Sequence, residues 1–420
     1  MTPTRTPARI ALALLVLCVA RGCGGGDGPD GADASVAADA AVDAAPVFFP
    51  VQKVGSMTSV DPPRLALDST GAGFAVWTQF DGVSGSVWAA RYQPATGWGT
   101  QELLEGIEEH ADSPQIAVDD QGNAAAIWAQ TDLVLHFNIW GARWTAAGGW
   151  QAPTLVESNE LSGAGDVRIA MTPRGDAVAT WAQGDGVAYS IWAVTAAPGG
   201  PWSTPVLLES DPGTAAAPEI AIDADGRAVV VWQQTVAGHI DVRAATWDAR
   251  AWTAPITIDA SDDDATAPRV ALGAAGDTAI TWQAGGAIWL RRGAAGSLPP
   301  PVRVDTRTGG TALAPRIALD GSVVWTAFEW TDAGSRGATL RRLGDPVIEL
   351  GTGSRQPAVT SARGRVLAAW KSAGLTAQWG EQQQMLSSDP GASLPAVAIS
   401  GDVALVIWSE PTGIFAAPVR

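Results

Sequence analysis

The chain has 420 residues, a net charge of −17 and 46% hydrophobic residues. This charge argues against nucleic acids and anionic membrane surfaces as partners, because both repel an acidic protein. Both cysteines, Cys18 and Cys23, precede the region with a folding pattern, so we expect no disulfide and no thiolate metal site in the folded domain.

The first residues predict an export signal. Two arginines precede the apolar stretch 10–20, which is too short to cross a membrane as a helix, and we assign residues 1–22 to a signal peptide. The segment that ends in Gly22 and Cys23 resembles a bacterial lipoprotein signal. That resemblance implies that Cys23 is lipidated and becomes the first residue of the exported protein. The alternative is cleavage after Ala20 and secretion without a lipid.

Residues 23–46 predict a flexible acidic linker. The segment is rich in Gly, Ala and Asp and has no aromatic residue, so it cannot bury enough apolar surface to offset its chain entropy. A lipid on Cys23 followed by such a linker would hold a domain away from a membrane surface. We therefore expect a protein anchored to the cell envelope, at the outer membrane, with the lipid as its membrane contact.

From residue 47 to residue 420 a unit of about fifty residues recurs. Each unit begins with Pro or its equivalent, continues with alternating apolar residues, turns at Gly and ends in an apolar run that closes with Trp. Three clear copies are 63–77 (PRLALDSTGAGFAVW), 114–128 (PQIAVDDQGNAAAIW) and 218–232 (PEIAIDADGRAVVVW). A period of this size, built from strand-like pieces, indicates an all-β fold, the β-propeller.

The repeat predicts eight blades of four strands, here named a to d. The units begin at Pro63, Pro114, Arg168, Pro218, Pro268, Pro315, Pro357 and Pro395. The sixth and seventh are irregular, and either Trp325 or Phe328 takes the tryptophan place in the sixth, so a ring of seven blades is the alternative. The last unit lacks a fourth strand, which the apolar segment 47–51 can supply. Such pairing closes the ring and removes exposed edges, and we expect a monomer.

Tryptophan recurs about once per strand, as Trp77, Trp88 and Trp98 do in the first unit. Blades pack face to face, and large rings fill the gap that widens away from the axis. We interpret most of these tryptophans as core. The turn between strands a and b keeps its Gly in every unit but loses its Asp in several, so the turn requires the Gly.

Candidate ligand-binding residues lie on the face that carries the d–a and b–c loops. The first residue of strand a is near the axis, and four units place an arginine there: Arg64, Arg168, Arg269 and Arg316. Four guanidinium groups around one pore would bind an anion or a carboxylate. The alternative is that each pairs with an acidic d–a loop. Those loops contain Glu105, Glu108, Glu109, Asp112, Glu157, Glu160, Glu209, Asp211, Asp259 and Asp262–Asp264.

A second set of polar residues follows the strand-b tryptophan on the same face. The set comprises Gln79, Gln130, Gln183, Gln234 and Glu410, with Glu329 in the sixth unit. We interpret these side chains either as hydrogen-bonding partners of neighbouring loops or as the lining of a ligand funnel.

The motifs predict no catalytic residue, no metal site and no cofactor. His110, His136 and His239 lack the spacing of a metal pair or a triad, and there is no nucleophile elbow or phosphate loop. The acidic run 262–264 lacks the alternating ligands of a calcium loop. Hydrolysis by paired carboxylates stays open, because the sequence does not show how far apart the acidic loops are.

The repeats resemble those of Trp-rich propellers in exported bacterial proteins, over residues 47–420. They also resemble those of Asp-box sialidases at Asp223 and Gly226, although Trp232 stands at a different spacing from the family motif. That resemblance implies a glycoside hydrolase that uses the arginine cluster. Such an enzyme needs a tyrosine nucleophile with a carboxylate partner, and the chain has only Tyr92 and Tyr189.

Fucose-binding propeller lectins are also similar, since they are rich in Trp and carry an arginine in strand c, as Arg91, Arg143 and Arg243 do here. The resemblance implies several shallow sites between blades, but matching Glu positions do not recur. Taken together, the residues predict a non-catalytic surface binding protein for a protein or glycan ligand. A sialidase-like hydrolase and a multivalent lectin are the alternatives.

Overall fold

The computed structural model describes residues 48–56, 62–80, 82–106, 109–132, 136–157, 162–209, 211–259, 261–294 and 296–419. These residues belong to one compact unit, Pro46–Arg420. The predicted signal peptide, the lipidation site Cys23 and the linker 23–46 lie outside the described residues. None of the described residues forms a helix with the length and apolar character needed to cross a bilayer.

Eight antiparallel sheets make up the domain, each with its strands in the order a, b, c, d. The predicted eight-bladed β-propeller is confirmed, and the alternative of seven blades is wrong. The outer strand of the last blade is β1 (Gln52–Gly55). Blade 1 contains β2 (Arg64–Leu67), β3 (Gly73–Phe80), β4 (Gly85–Gln93), β5 (Gly97–Trp98) and β6 (Glu102–Leu103). Blade 2 contains β7 (Ala111–Val118), β8 (Ala124–Thr131), β9 (Phe137–Thr145), β10 (Gly149–Trp150) and β11 (Thr154–Leu155).

The other blades repeat this arrangement. Blade 3 contains β12 (Ala164–Met171), β13 (Ala177–Gly184), β14 (Tyr189–Ala196) and β15 (Val206–Leu207), and blade 4 contains β16 (Ala215–Ile222), β17 (Ala228–Val236), β18 (His239–Trp247) and β19 (Ile256–Thr257). Blade 5 contains β20 (Thr266–Leu272), the 3-10 turn η1 (Ala274–Gly276), β21 (Asp277–Ala284), β22 (Ala287–Ala294) and β23 (Val302–Arg303). Blade 6 contains β24 (Thr311–Asp320), β25 (Val323–Asp332), β26 (Ser335–Arg342) and β27 (Ile348–Thr352). Blade 7 contains β28 (Arg355–Ala362), β29 (Arg365–Lys371), β30 (Leu375–Trp379) and β31 (Gln382–Ser387), and blade 8 contains β32 (Ser393–Ser400), β33 (Val403–Glu410) and β34 (Gly413–Val419).

The N-terminal strand closes the ring. β1 pairs antiparallel with β34, which confirms that the start of the domain completes the last blade. Of the predicted segment 47–51, Phe48 forms a single bridge with Val419, and the Phe49 amide donates to the Pro418 carbonyl at 2.9 Å. Pro50 has no N–H for the ladder, so the regular pairing lies in the residues after it. The closing strand is therefore later in the chain than predicted.

Strand a of blades 2 to 8 carries the same β-bulge at the start of the repeat. One residue there has a φ between 51° and 56°, and the pairing with strand b shifts register at that point. The next residue is Pro in six of these blades and Val167 in blade 3. Because Pro cannot donate to the ladder, the interruption falls beside it. The bulge therefore fixes the position of the residue after the Pro or Val167, and this residue is the first one of the regular ladder.

Strand b forms the core of each blade. Six of its tryptophans are no more than 1% exposed, namely Trp77, Trp128, Trp181, Trp232, Trp282 and Trp408. In blade 6 this place belongs to Phe328, because the residue before it, Ala327, pairs with Arg316 of strand a as its counterparts do elsewhere. Trp325 packs at the margin of the neighbouring core cluster. The interpretation of these rings as core is thus confirmed.

Candidate functional site

One residue from each strand a forms a ring around the axis on the face of the d–a and b–c loops. In every blade it pairs with the residue before the strand-b aromatic. The a strands contact one another around the whole circle, including β2 with β32. The members of this axial ring are Arg64, Gln115, Arg168, Glu219, Arg269, Arg316, Ala358 and Ala396. The fold therefore brings the four predicted arginines together.

Glu219 is the one acidic member of the axial ring, and it joins two arginines. Its Oε1 accepts from Arg168 Nε at 3.0 Å and from Arg269 Nη1 at 2.8 Å. Burial by itself would raise the pKa of this carboxyl, but the charges of Arg168, Arg269 and Arg64 hold the pKa below its ordinary value. Glu219 is thus ionised at neutral pH and neutralises only part of the ring.

Arg316 has no carboxylate at salt-bridge distance among the described residues. Its Nη1 donates to the Pro315 carbonyl at 3.0 Å, which uses one of five guanidinium donors. Burial, with the positive charges of Arg269 and Arg64, lowers the pKa of Arg316 to about 10, although Glu219 and Glu329 act in the opposite direction. The group stays protonated at neutral pH and keeps hydrogen-bonding capacity for an anion.

The acidic residues of the d–a loops have other partners. Glu105 Oε2 accepts from the Val87 amide at 2.7 Å, and Asp259 Oδ1 accepts from the Val242 amide at 2.8 Å. Burial raises the pKa of both carboxyls. The predicted pairing of arginines with these loops is therefore wrong for Arg168 and Arg269, because both share Glu219. Of the same loops, Glu108 and Glu160 lie outside the described residues.

The glutamines two residues after the strand-b tryptophan accept hydrogen bonds from its side chain. Residues two apart on a strand lie on one face, so each can accept from the indole N–H before it. Gln130, Gln183 and Gln234 do so at 3.0, 2.9 and 3.0 Å, and Glu410 does so at 2.8 Å. The Nε2 groups of Gln183 and Gln234 also donate to buried Glu157 and Glu209, at 2.8 and 2.7 Å. The spacing Trp-x-Gln was a signal for this bond that the sequence interpretation missed.

Two members of that predicted set differ. Gln79 is 6% exposed and holds the same place, but neither its Oε1 nor the Trp77 Nε1 has a hydrogen-bond partner among the described residues. Glu329 follows Phe328 directly, so it lies on the opposite face of strand b from the glutamines. Its Oε1 accepts from the Gln356 amide of blade 7 at 2.9 Å. The equivalence drawn between Glu329 and the glutamines is wrong, because Trp330 holds the place two residues after Phe328.

The strand-c arginines are not equivalent either. Arg91 and Arg143 lie at the same place. They pair with Phe74 and Ala125, which stand three residues before the strand-b tryptophan of their blades. Arg243 instead lies opposite Trp232, where other blades have a strand-c tryptophan, and it pairs with Asp211 at 2.8 Å. Of these three, only Arg91 and Arg143 therefore share a position, and blades 5 and 6 carry Arg292 and Arg342 at that same place.

The described residues do not form the tyrosine–carboxylate pair that a sialidase needs. Neither Tyr92 nor Tyr189 hydrogen-bonds a carboxylate there, and Tyr92 is 2% exposed with its ring 5.2 Å from that of Trp98. Among the same residues, no group of three His, Cys, Asp or Glu side chains is placed to hold a metal ion. Asp264 of the acidic run accepts from the Ile240 amide at 2.9 Å. The axial ring thus offers a ligand positive charge and hydrogen-bond donors.

The comparisons with known proteins establish the fold. No protein-family model and no curated protein sequence matches the chain. An ulvan lyase, described as a new family of polysaccharide lyase, is 10% identical over 88% of this chain and 97% of its own, with a TM-score of 0.54. A Hadza microbial sialidase is 13% identical over 70% and 68%, with a TM-score of 0.42. The six-bladed fungal lectin of Aleuria aurantia is 14% identical over 72% and 97%, with a TM-score of 0.41. The chain is thus a β-propeller protein.

Proposed function

We propose that this protein is an exported, non-catalytic binding propeller that takes a glycan with carboxylate groups at its axial ring. One observation carries the proposal. The ring holds four guanidinium groups and a single carboxylate, Glu219, in a chain whose net charge is −17. A local excess of positive charge in an acidic protein favours an anionic ligand at that place.

The state of Arg316 supports an anion in particular. Its guanidinium is desolvated, its pKa is about 10, and its one acceptor among the described residues is the Pro315 carbonyl. A carboxylate that binds there would gain charge-assisted hydrogen bonds, often in a bidentate pair. A neutral ligand would bring no charge to these bonds, so the ring favours an anion.

The choice of a glycan over a protein ligand follows from the site and the fold. The positive charge lies around an axis rather than on a broad flat surface, which suits a narrow ligand more than a protein interface of ordinary size. A propeller of similar fold acts on a polysaccharide, as its description states. The absence of a tyrosine–carboxylate pair among the described residues favours binding over sialidase chemistry.

A glycan array that contains acidic and neutral members tests this function. We expect acidic glycans to bind, and Arg316→Gln to weaken the best of them by about ten-fold or more, since charge-assisted hydrogen bonds contribute roughly 1.5–3 kcal/mol. Arg342→Gln is the control, because its exposed pair with Asp345 lies at 3.2 Å in strand c of blade 6. Equal binding by the two variants would refute the axial site. Turnover of a fluorogenic acidic glycoside would refute the non-catalytic assignment, and binding to several equivalent sites would favour the lectin.

The lipid anchor is a separate proposal that rests on residues 1–46. A chain with Cys23→Ser should leave the membrane fraction and be recovered in soluble form after export. Retention of this variant in the membrane would show that Cys23 does not carry the anchor.

A further inference from the structure

A groove between blades 2 and 3 contains a second arginine site, separate from the axial ring. The groove has a volume of about 470 Å³. Strand c and the outer edge of blade 2 form one wall, and the c–d turn of blade 3 forms the other. Its lining includes Arg143, Gln151, Thr154, Trp202 and Ser203.

Arg143 is a cation without a protein counterion in this groove. Its Nη2 is buried and has no hydrogen-bond partner among the described residues. Its guanidinium carbon lies 4.9 Å from the centre of the Trp202 ring. Burial lowers the pKa of the group, and no carboxylate acts in the opposite direction. The indole face compensates for part of the lost hydration but supplies no acceptor.

In blades 5 and 6 a carboxylate pairs with the arginine at this place. In blade 5, Arg292 Nη2 lies 2.6 Å from Asp277 Oδ2, and in blade 6, Arg342 pairs with Asp345 at 3.2 Å. In blade 1, the Arg91 guanidinium lies 4.4 Å from the Trp144 ring and also faces Phe74. Blade 2 alone combines an arginine without an acid with an open groove beside it, within the described residues.

Gly141 keeps the groove open next to the arginine. It lies two residues before Arg143 on the same face of β9, where blades 1, 3 and 4 have alanine. A Cβ at Gly141 would lie 3.1 Å from Val156 Cγ2 and 3.7 Å from Trp202 Nε1. Because Gly141 has no Cβ, the edge of the Trp202 indole and the Arg143 guanidinium are both accessible from the groove.

We propose that this groove binds the carboxylate of an acidic sugar, with Arg143 as the anchor. A carboxylate matches the planar donor fork of arginine and satisfies the buried Nη2. The exposed side chains of Gln151 and Thr154 offer both donors and acceptors, which suit sugar hydroxyls. The Ser203 hydroxyl accepts from the Thr195 amide at 3.0 Å and donates to the Thr204 carbonyl at 3.2 Å, so it can offer a ligand only a second acceptor site. The groove is of the size that holds a small ligand, and it shares no residue with the axial ring.

Titration with sodium glucuronate, followed by the Nε–Hε signals of the arginine side chains, tests this site. Arg143→Gln identifies the Arg143 signal by removing it. We expect glucuronate to shift that signal and equimolar glucose to leave it unchanged. A signal that glucuronate does not move at millimolar concentration would overturn the proposal, as would an equal shift with glucose.

Affinity measurements with matched variants complete the test. By calorimetry, Arg143→Gln and Gly141→Ala should each weaken the glucuronate binding event at the groove by about ten-fold or more, while Arg342→Gln leaves it intact. Arg316→Gln should also leave this event intact, which separates failure of the groove from failure of the axial ring. Unchanged binding in Arg143→Gln would refute the groove as the binding site. Tighter binding of an N-acetylglutamate amide than of glucuronate would refute an acidic sugar as the ligand.

Discussion

Replacement of Glu219 by Gln tests whether the axial ring is a coupled set of charges. The carboxylate bonds two guanidinium groups, and the side chains of Glu219, Arg168 and Arg269 are 19%, 21% and 22% exposed. Loss of one partner of a buried ion pair costs roughly 3–5 kcal/mol. Since water reaches about a fifth of each side chain here, we expect a smaller loss of about 2–3 kcal/mol in the free energy of unfolding.

This loss should appear in thermal unfolding. One kcal/mol shifts Tm by about 2–4 °C in domains of 150–250 residues and by less in larger ones, so Glu219→Gln should lower Tm by roughly 3–6 °C at pH 7. Asp345→Asn is the control. Its pair with Arg342 is about half exposed on both sides, and its loss should cost less than about 1 kcal/mol.

The effect of Glu219 should depend on pH in one direction. Its pKa is lower in the folded protein than in the unfolded chain, so its stabilisation is complete above the ordinary Glu value of about 4.3 and is lost as the pH falls through the folded pKa. The difference between the native chain and Glu219→Gln should shrink below about pH 4. A Tm at pH 7 equal to that of Asp345→Asn, or a difference that acid does not reduce, would refute this reasoning. The same variant should bind the anionic ligand more tightly, because an internal competitor is gone.

Three further changes have expected outcomes. In urea unfolding, Gln234→Ala should cost about 1–3 kcal/mol because it leaves buried polar groups unpaired, whereas Gln79→Ala should cost less because its indole bond is not formed; equal costs would contradict the role of the bond. Gly71→Ala should destabilise the protein more than Gly364→Ala does. Both glycines have φ near +80°, but only at Gly71 would the Cβ meet a side chain, 2.6 Å away. An equal decrease in Tm for the two variants would show that the backbone strain alone matters. Removal of residues 48–55 should expose the edge of β34 and produce oligomers in light scattering, and a stable monomer would show that the ring closes without β1.

Much of the fold could be predicted because its signals are local and repeated. The Gly of each a–b turn, the Pro at each bulge and the strand-b aromatic recur with the period of one blade, so each copy confirms the others. The errors fell where a copy departed from the pattern. In the sixth unit, the sequence left both Trp325 and Phe328 open for the aromatic place, and the grouping of Glu329 with the glutamines was wrong. Near the N-terminus, residues 47–51 were predicted to form the closing strand because they are apolar. Pro50 has no N–H to donate to the ladder, so the regular pairing lies after it.

The sequence by itself determined the ring, favoured eight blades over seven and placed four arginines near one axis. Only the tertiary structure decided what those charges do. Glu219 binds Arg168 and Arg269, which are 51 and 50 residues away along the chain. Arg143 has no counterion among the described residues, although the same place in blades 5 and 6 is paired. Such contacts join neighbouring blades, and their distances depend on how the sheets pack rather than on any spacing along the chain.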